Sequence, residues 1–249
     1  MSLETINFAR FALADGDQLL DVGCGEGRHS ITAYLLKKVS TVGLDLSIKD
    51  LNTARLRYAD FHQPEQSEKN LCFVSGHGQA LPFSDQQFDK VICSEVLEHI
   101  HDYPAVLNEI KRVLKPGGIL AISVPRYFPE WVCWMLSKAY HEVEGGHVRI
   151  FNARELKSSI ETLGFQRFDT HYAHALHVPY WWLKCLFWQE SNPDAENWIT
   201  KQYHRFLVWD LMKKPWVTRL AESLLNPIIG KSIVMYFVHL ENPSLRRQV

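Results

Sequence analysis

The chain has 249 residues, of which 46% are hydrophobic and 22% charged, a composition typical of globular proteins. Its formal net charge of −1 excludes a global basic field for capturing nucleic acid. Five cysteines without a CxxC pair indicate reduced thiols and a cytoplasmic protein. We expect no secretion signal and no membrane span, because no apolar stretch reaches the roughly 18 residues that a span needs.

The first half of the chain alternates short apolar runs with helical patterns. Strands are predicted at residues 18–22, 40–45, 71–75, 90–94 and 119–124, and helices at 28–37, 48–62 and 104–114. Apolar strands separated by helices are typical of a parallel sheet covered on both faces. The Lys115-Pro-Gly-Gly118 segment predicts a turn between the third helix and the fifth strand.

The second half has a different pattern. A helix is predicted at residues 128–141, and another from an N-cap at Asn152, with Glu155 at the capping-box position, to Gly164. Further strands are predicted at residues 165–172 and 232–240. Between these strands, residues 174–231 contain six of the eight tryptophans, Trp181, Trp182, Trp188, Trp198, Trp209 and Trp216.

A glycine-rich segment, Leu-Leu-Asp-Val-Gly-Cys-Gly-Glu-Gly at residues 19–27, follows the first strand and opens the first helix. The glycines permit a tight turn and a close approach of a ligand to the backbone. A structural turn is the alternative interpretation of such a loop. Asp45 ends the second strand, where a carboxylate can accept hydrogen bonds from both hydroxyls of a ribose. The two features together predict a nucleoside site.

Six segments resemble, in order and spacing, the class I S-adenosylmethionine (SAM)-dependent methyltransferases, and in particular the small-molecule enzymes of ubiquinone and menaquinone biosynthesis. They are residues 19–27, 43–47 (GLDLS), 80–85 (ALPFSD), 88–89 (FD), 94–99 (SEVLEH) and 109–118 (EIKRVLKPGG). The resemblance covers about residues 15–125, the expected SAM-binding core of a single methyltransferase domain spanning residues 1–249.

The resemblance implies a Rossmann-like α/β fold with a seven-stranded, mostly parallel sheet whose last strand is antiparallel. Residues 174–231 would form a helical insertion between strands six and seven. It also implies methyl transfer from SAM, leaving S-adenosylhomocysteine, to a small and partly apolar acceptor at oxygen, nitrogen or carbon. Much of the rate of such an in-line displacement comes from orienting the reactants and excluding water.

The resemblance also implies roles for individual residues. Residues of the glycine loop would surround the methionine part of SAM: Asp21, Gly23, Cys24, Gly25 and Gly27. Asp45 would hold the ribose hydroxyls, with Leu46 against the adenine.

Two further segments would complete the SAM site. His77, Gly78 and Gln79 would approach the adenine edge, and Ser94 and Glu95 would line the floor beneath the sulfonium. His77 stands where relatives commonly carry an acidic residue. The adenine contact is therefore left open between His77, Gln79 and the backbone.

His99 is the leading candidate for a general base, and His147 for a second acid–base group; for both, a structural role is the alternative. Arg149 is a candidate partner for an acidic acceptor. Glu95, Glu98 and His99 have the spacing to converge on a divalent ion from one helix face. Many relatives without a metal carry the same letters, so we expect no metal.

The tryptophan-rich insertion has three interpretations: a cap with its own aromatic core, the wall of an apolar acceptor pocket, or a peripheral membrane or dimer contact. The oligomeric state is left open between monomer and homodimer. A catalytically silent SAM-fold protein is the principal alternative function. A nicotinamide oxidoreductase is disfavoured because the sequence carries no second cofactor motif. A nucleic-acid methyltransferase is disfavoured because it lacks an Asn/Asp-Pro-Pro-Tyr motif and a basic stripe.

Overall fold

The computed structural model describes residues 4–61, 69–142, 145–188 and 197–241. Its sheet has seven strands in the order β3-β2-β1-β4-β5-β7-β6. The strands are β1 Gln18–Val22, β2 Ser40–Asp45, β3 Asn70–Ser75, β4 Phe88–Ser94, β5 Leu114–Pro125, β6 Phe165–Ala173 and β7 Ser232–His239. Strands β1 to β5 pair in parallel, whereas β7 is antiparallel to both β5 and β6. The predicted Rossmann-like sheet is confirmed, and its strand order reverses between β1 and β4, where such folds bind ligands.

The helices that the structure describes are α1 Arg28–Leu36, α2 Ile48–Ala59, α3 Tyr103–Val113, α4 Tyr127–Leu136, α5 Ala139–Glu142, α6 Ala153–Thr162, α7 Val178–Leu186, α8 Trp198–Lys213 and α9 Trp216–Ile229. The helix predicted at residues 48–62 thus ends at Ala59, and His62 lies outside the described residues.

The single helix predicted at residues 128–141 is wrong, because two helices, α4 and α5, occupy this stretch. Ser137 between them has extended backbone angles, with φ −148° and ψ 116°. Its hydroxyl accepts a hydrogen bond from the Tyr140 N–H at 3.3 Å. A serine hydroxyl that caps a helix start satisfies a free N–H group, which favours a new helix over continuation of the first.

The turn predicted at residues 115–118 belongs instead to the start of β5. Leu114 already pairs with Phe88, and the register shifts before the next pair, Lys90 with Ile119. Gly117 has φ +76°, so the extra residues bend out of the ladder as an irregularity. The glycines do form a bend, as predicted, but the strand begins at Leu114 instead of residue 119.

Two groups of apolar side chains cover the two faces of the sheet. On one face, α3 and α6 pack with Val106, Ile110 and Ile160 fully buried. On the other, α1 packs together with the N-terminal segment, in which Ile6 and Phe11 are fully buried. The covered sheet leaves the carboxyl ends of β1, β2 and β4 as the place for a ligand.

The predicted helical insertion between β6 and β7 is confirmed in the described residues. It begins with a 3₁₀ turn, Ala175–His177, and continues as α7, α8 and α9, while residues 189–196 lie outside the description. The Trp182 indole N–H donates to the Pro129 carbonyl at 3.1 Å, which holds α7 against α4. Among the described residues, none of the helices is long and apolar enough to span a bilayer.

Candidate active site

The glycine loop joins β1 to α1 at the carboxyl edge of the sheet. Gly23, Gly25 and Gly27 all have left-handed φ angles of +71°, +51° and +79°. A Cβ on Gly23 would lie 2.3 Å from Val96 Cγ2, so no larger residue fits without moving Val96. At Gly25 a Cβ would meet nothing within 4 Å, which leaves open space in front of the loop. The loop therefore has the geometry that close approach of a ligand requires.

Asp21 lies beneath this loop and is almost fully buried. Its Oδ2 accepts hydrogen bonds from the Ser30 N–H at 3.1 Å and from the Ser30 hydroxyl at 2.7 Å. Burial raises the pKa of Asp21 to about 6, against the lowering effect of Ser30. The carboxyl group thus fixes the first turn of α1 under the loop. Burial also raises the pKa of the Cys24 thiol, so Cys24 is a neutral packing group.

Asp45 at the end of β2 is held in one orientation by two backbone groups. The Gly25 N–H donates to its Oδ2 and the Ser47 N–H to its Oδ1, both at 2.8 Å. A carboxylate has about four acceptor positions, so each oxygen keeps one for a ribose hydroxyl. Leu46 beside it is 57% exposed, as expected of a side chain that would cover an adenine ring. These residues fit the nucleoside part of SAM.

The predicted adenine edge is accessible. His77 and Gln79 are exposed, and the Gln79 amide donates to the Asp102 carbonyl at 3.3 Å. This hydrogen bond turns the Gln79 amide toward the start of α3. We still predict that His77, or the backbone around Gly78, contacts the adenine.

The floor of the crevice is a chain of hydroxyl and carboxyl groups at the ends of β4 and β5. The Ser123 hydroxyl donates to Glu95 Oε1 at 2.8 Å, so the Ser94 hydroxyl, also at 2.8 Å, donates to Ser123. Glu95 has a left-handed φ of +56°, which is uncommon for a residue with a side chain. Such strained backbone is frequent at functional sites.

A pocket of about 430 Å³ extends from this floor toward the insertion. Its polar lining includes Glu95, Glu98, His99 and His147, and its insertion side includes Trp181, Leu207 and Leu211. The volume is in the range typical of small-molecule sites. The structure therefore brings both histidines proposed from the sequence, His99 and His147, to one cavity.

His147 is oriented by a buried carboxylate. Its Nδ1 lies 2.5 Å from Glu130 Oε1, and Glu130 is only 3% exposed. Because an ionised carboxylate only accepts, His147 Nδ1 carries the proton and Nε2 is the acceptor nitrogen. Burial alone would raise the pKa of Glu130, but the hydrogen bond from His147, together with Lys231 and the hydrogen bond from Trp134, brings it below its usual value. The Glu130–His147 pair thus has the arrangement of an oriented general base.

His99 stands next to this pair, with its ring centroid 4.8 Å from that of His147. Its Nδ1 lies 3.3 Å from the Gly146 carbonyl. Burial, followed by the proximity of His147, lowers the pKa of His99 below its usual value. The lowered pKa favours the neutral form of His99.

The expected convergence of Glu95, Glu98 and His99 on one helix face is wrong. Residues 97–99 form a 3₁₀ turn, and Glu95 is bound to Ser123. Within the described residues, candidate metal-ligand atoms of Glu98, His99 and His147 instead lie within 4.8 Å of one another. Both oxygens of Glu98 are buried without a hydrogen-bond partner, and burial followed by the charge of Glu95 raises its pKa well above the usual value. Metal binding at these residues would require Glu98 to lose its proton.

The structure gives Arg149 a different role from the one predicted, and it brings Glu130, which the sequence did not predict, into the site. Arg149 donates to the carbonyls of Ile100 and His101, at 3.0 and 2.6 Å, so it holds the backbone that follows His99. Glu130 was missed, although it is the only acidic residue in the aromatic helix Tyr127–Leu136. A single carboxylate in an apolar helix was the available signal. Other pocket residues, such as Thr5 and Lys231, carried no signal in their local sequence.

Comparisons with known proteins agree with this geometry. The family model described as a methyltransferase domain matches residues 3–168, and the chain belongs to this family. It is 32% identical over 148 residues to the sterol 24-C-methyltransferase of Pneumocystis carinii, which covers 59% of this chain and 36% of that protein. It is 37% identical over 124 residues to the fatty-acid O-methyltransferase of Mycolicibacterium smegmatis, covering 47% of this chain and 41% of that one. The matched segment is thus less than half the length of these curated relatives.

Solved structures show the same fold. A SAM-dependent methyltransferase from Methanosarcina mazei superposes with a TM-score of 0.61 at 16% identity, covering 96% of this chain and 100% of that one. The [4+2]-cyclase SpnF superposes with a TM-score of 0.61 at 20% identity, covering 94% and 79%. By family and fold the chain belongs to the class I SAM-dependent methyltransferases, and SAM is the cofactor of this family. The cyclase shows that the fold alone does not define the reaction.

Proposed function

We propose that the protein transfers a methyl group from SAM to a hydroxyl oxygen of a small, partly apolar acceptor. The observation that carries this proposal is the 2.5 Å contact between His147 Nδ1 and Glu130 in a pocket beside the SAM crevice. A hydroxyl acceptor is the kind of acceptor that gains from a general base, because its proton must leave as the oxygen is methylated.

Different residues of the chain would bind the cofactor, remove the proton and stabilise the charge that forms. The glycine loop and Asp45 hold the cofactor, which supplies an electrophilic methyl group on sulfur. His147 Nε2 takes the acceptor proton while the oxygen forms its bond to the methyl carbon. The electron pair of the breaking carbon–sulfur bond stays on sulfur, so this leaving group needs no proton. Glu130 stabilises the imidazolium that forms, and His99 packs beside it.

The class of acceptor follows from the two sides of the pocket. The sheet side is polar, whereas Trp181, Leu207 and Leu211 of the insertion provide apolar surface. An acceptor with a hydroxyl at one end and a hydrocarbon or aromatic body at the other satisfies both sides. Two of the relatives are named for a sterol and for fatty acids, which supports such an acceptor.

The test measures cofactor binding and methyl transfer separately. Calorimetry with SAM is followed by transfer of a labelled methyl group to a panel of hydroxylated aromatic, long-chain and sterol acceptors. We expect His147→Ala to lower kcat by about 10²- to 10⁴-fold with SAM affinity unchanged. Glu130→Gln, at a positioning residue, should lower kcat by a smaller factor with little change in the KM for the acceptor. The matched control is His101→Ala, on an exposed side chain outside the pocket.

Several outcomes would contradict the proposal. SAM binding without turnover on any acceptor would favour a silent SAM-binding protein. Binding of a nicotinamide cofactor without SAM affinity would favour an oxidoreductase. A methyl group found on carbon or nitrogen of the product would agree with methyl transfer but would contradict a hydroxyl acceptor.

A further inference from the structure

The outer surface of the insertion carries an apolar stripe that the core does not use. Trp216, Leu220, Leu224 and Ile228 of α9 are spaced four residues apart and are between 52% and 75% exposed. Side chains at this spacing lie along one face of a helix. Trp209 and Met212 of the preceding helix α8 are also exposed, at 48% and 57%. These six residues form what we call the α8–α9 face. Large exposed apolar surfaces frequently mark interaction sites.

The opposite face of α9 holds the helix in place. The Ala175 N–H donates to Asn226 Oδ1 at 2.9 Å, and Arg126 donates to the Pro227 carbonyl at 2.9 Å. At the start of α9, Arg219 forms an ion pair with the buried Asp210 of α8. The α8–α9 face is therefore presented by a fixed helix, with its apolar side chains directed away from the core.

The charges around this face are one-sided. In the described residues of the insertion, the two acidic side chains are Asp210 and Glu222, which are 5% and 15% exposed and both face Arg219. The exposed basic residues are Lys201, Arg205, Lys213, Lys214 and Arg219. Lys213 and Lys214 form the turn between α8 and α9, beside Met212 and Trp216. The whole sequence of residues 174–231 contains seven basic and five acidic residues, a net charge of +2 in a chain of net charge −1.

We propose that the α8–α9 face docks onto the surface of an anionic lipid bilayer. Apolar side chains that include tryptophan, flanked by lysine and arginine, have the chemistry of an interfacial helix. A second copy would bring the same basic residues to this face, so a contact between two copies would join the apolar stripes without supplying negative charge for the basic rim. The bilayer satisfies both the apolar stripe and the basic rim.

Docking in this way places the pocket close to the lipid. Leu207 and Leu211 of α8 line the pocket, whereas Trp209 and Met212 of the same helix belong to the α8–α9 face. One helix, about 10 Å across, therefore separates the two. Val208 lines the pocket and is also 49% exposed, so the pocket wall reaches the outer surface there. A lipophilic acceptor would then reach the pocket from the bilayer.

The test is sedimentation of the full chain with vesicles of phosphatidylcholine alone and of phosphatidylcholine with phosphatidylglycerol. We expect binding to the anionic vesicles that weakens with salt. Replacing Leu220, Leu224 and Ile228 together by serine should weaken it at least tenfold. The matched control replaces Leu35, Leu36 and Leu56 of α1 and α2, which are 49%, 55% and 74% exposed, and should stay within twofold of the unchanged chain. Lys213→Gln and Lys214→Gln should each weaken binding to the anionic vesicles alone, by about fivefold.

Equal sedimentation of the unchanged chain and the triple serine variant, or no binding to either vesicle, would overturn the proposal. Light scattering that shows a dimer, and a monomer for the triple variant, would also overturn it in favour of a contact between two copies. SAM affinity measured by calorimetry confirms that each variant is folded. Because no assay here needs an acceptor, failure of vesicle binding is distinct from failure of the proposed methyl transfer.

Discussion

The proposed cofactor crevice and the proposed acceptor pocket lie side by side but are built differently. In the crevice, backbone groups of contiguous segments make the contacts, as where the Gly25 N–H holds Asp45. In the pocket, side chains from distant segments meet, as where Thr5 contacts His174 across 169 positions of sequence. The pocket also keeps polar atoms without partners, including both oxygens of Glu98. We therefore expect the cofactor to be recognised by a local motif and the acceptor by side chains that long-range packing brings together.

The largest expected effect tests whether the crevice depends on the backbone of its loop. Gly23→Ala should lower SAM affinity at least about 100-fold, because the residue is left-handed and its Cβ would clash with Val96. Calorimetry measures the affinity. Adding Val96→Ala should restore part of it, since this removes the clashing methyl groups. The control is Gly16→Ala, at φ +90° with nothing within 4 Å of the added Cβ, which should bind SAM normally. Equal affinity of Gly23→Ala and Gly16→Ala would show that the loop is not built around this contact.

A smaller effect is expected on the pH dependence of the free energy of unfolding, through the buried His29 of α1. Burial, and secondarily Arg28, lowers the pKa of His29 from 6.5 to about 3. Below pH 6.5, His29 is therefore protonated in the unfolded chain but stays neutral in the folded chain. The free energy of unfolding falls as the pH drops toward 3. One unit below 6.5, the loss is about 1.4 kcal/mol.

Denaturation of the unchanged chain and of His29→Gln at about pH 7.5 and pH 5.5 isolates this contribution. The free energy of unfolding of the variant should fall by about 1.4 kcal/mol less than that of the unchanged chain. His101→Gln, on an exposed side chain, should show no such difference. Identical pH dependence of the unchanged chain and His29→Gln would mean that His29 is protonated in the folded state.

The smallest expected effect concerns the unpartnered carboxyl group of the pocket. Because burial raises the pKa of Glu98 well above its usual value, Glu98→Gln should change the free energy of unfolding by no more than about 0.5 kcal/mol. An excess of chelator should leave methyl transfer unchanged. Activity that is lost on chelation and restored by a divalent ion would instead make Glu98, His99 and His147 a metal centre.

The crevice and the pocket also differ in how much of their structure could be predicted from the sequence. In the crevice, the segments at residues 19–27 and 43–47 predicted the loop and the strand end that the structure shows, because their function resides in local backbone geometry. The helix at residues 128–141 was misplaced, because a serine cap divides it. The metal-ligand grouping was wrong because Glu95 leaves the helical conformation and bonds to Ser123 on the neighbouring strand.

The sequence by itself determined the strands and the first three helices, since strand periodicity and turn chemistry are local properties of the chain. Its resemblance to a known family gave the class of protein and the cofactor. Only the tertiary structure decided that His147 is oriented by Glu130, that Arg149 holds backbone carbonyls, and that the tryptophan-rich insertion presents an apolar outer face. Hydrogen bonds and burial of this kind depend on which segments the sheet brings together, and no local pattern of residues carries that information.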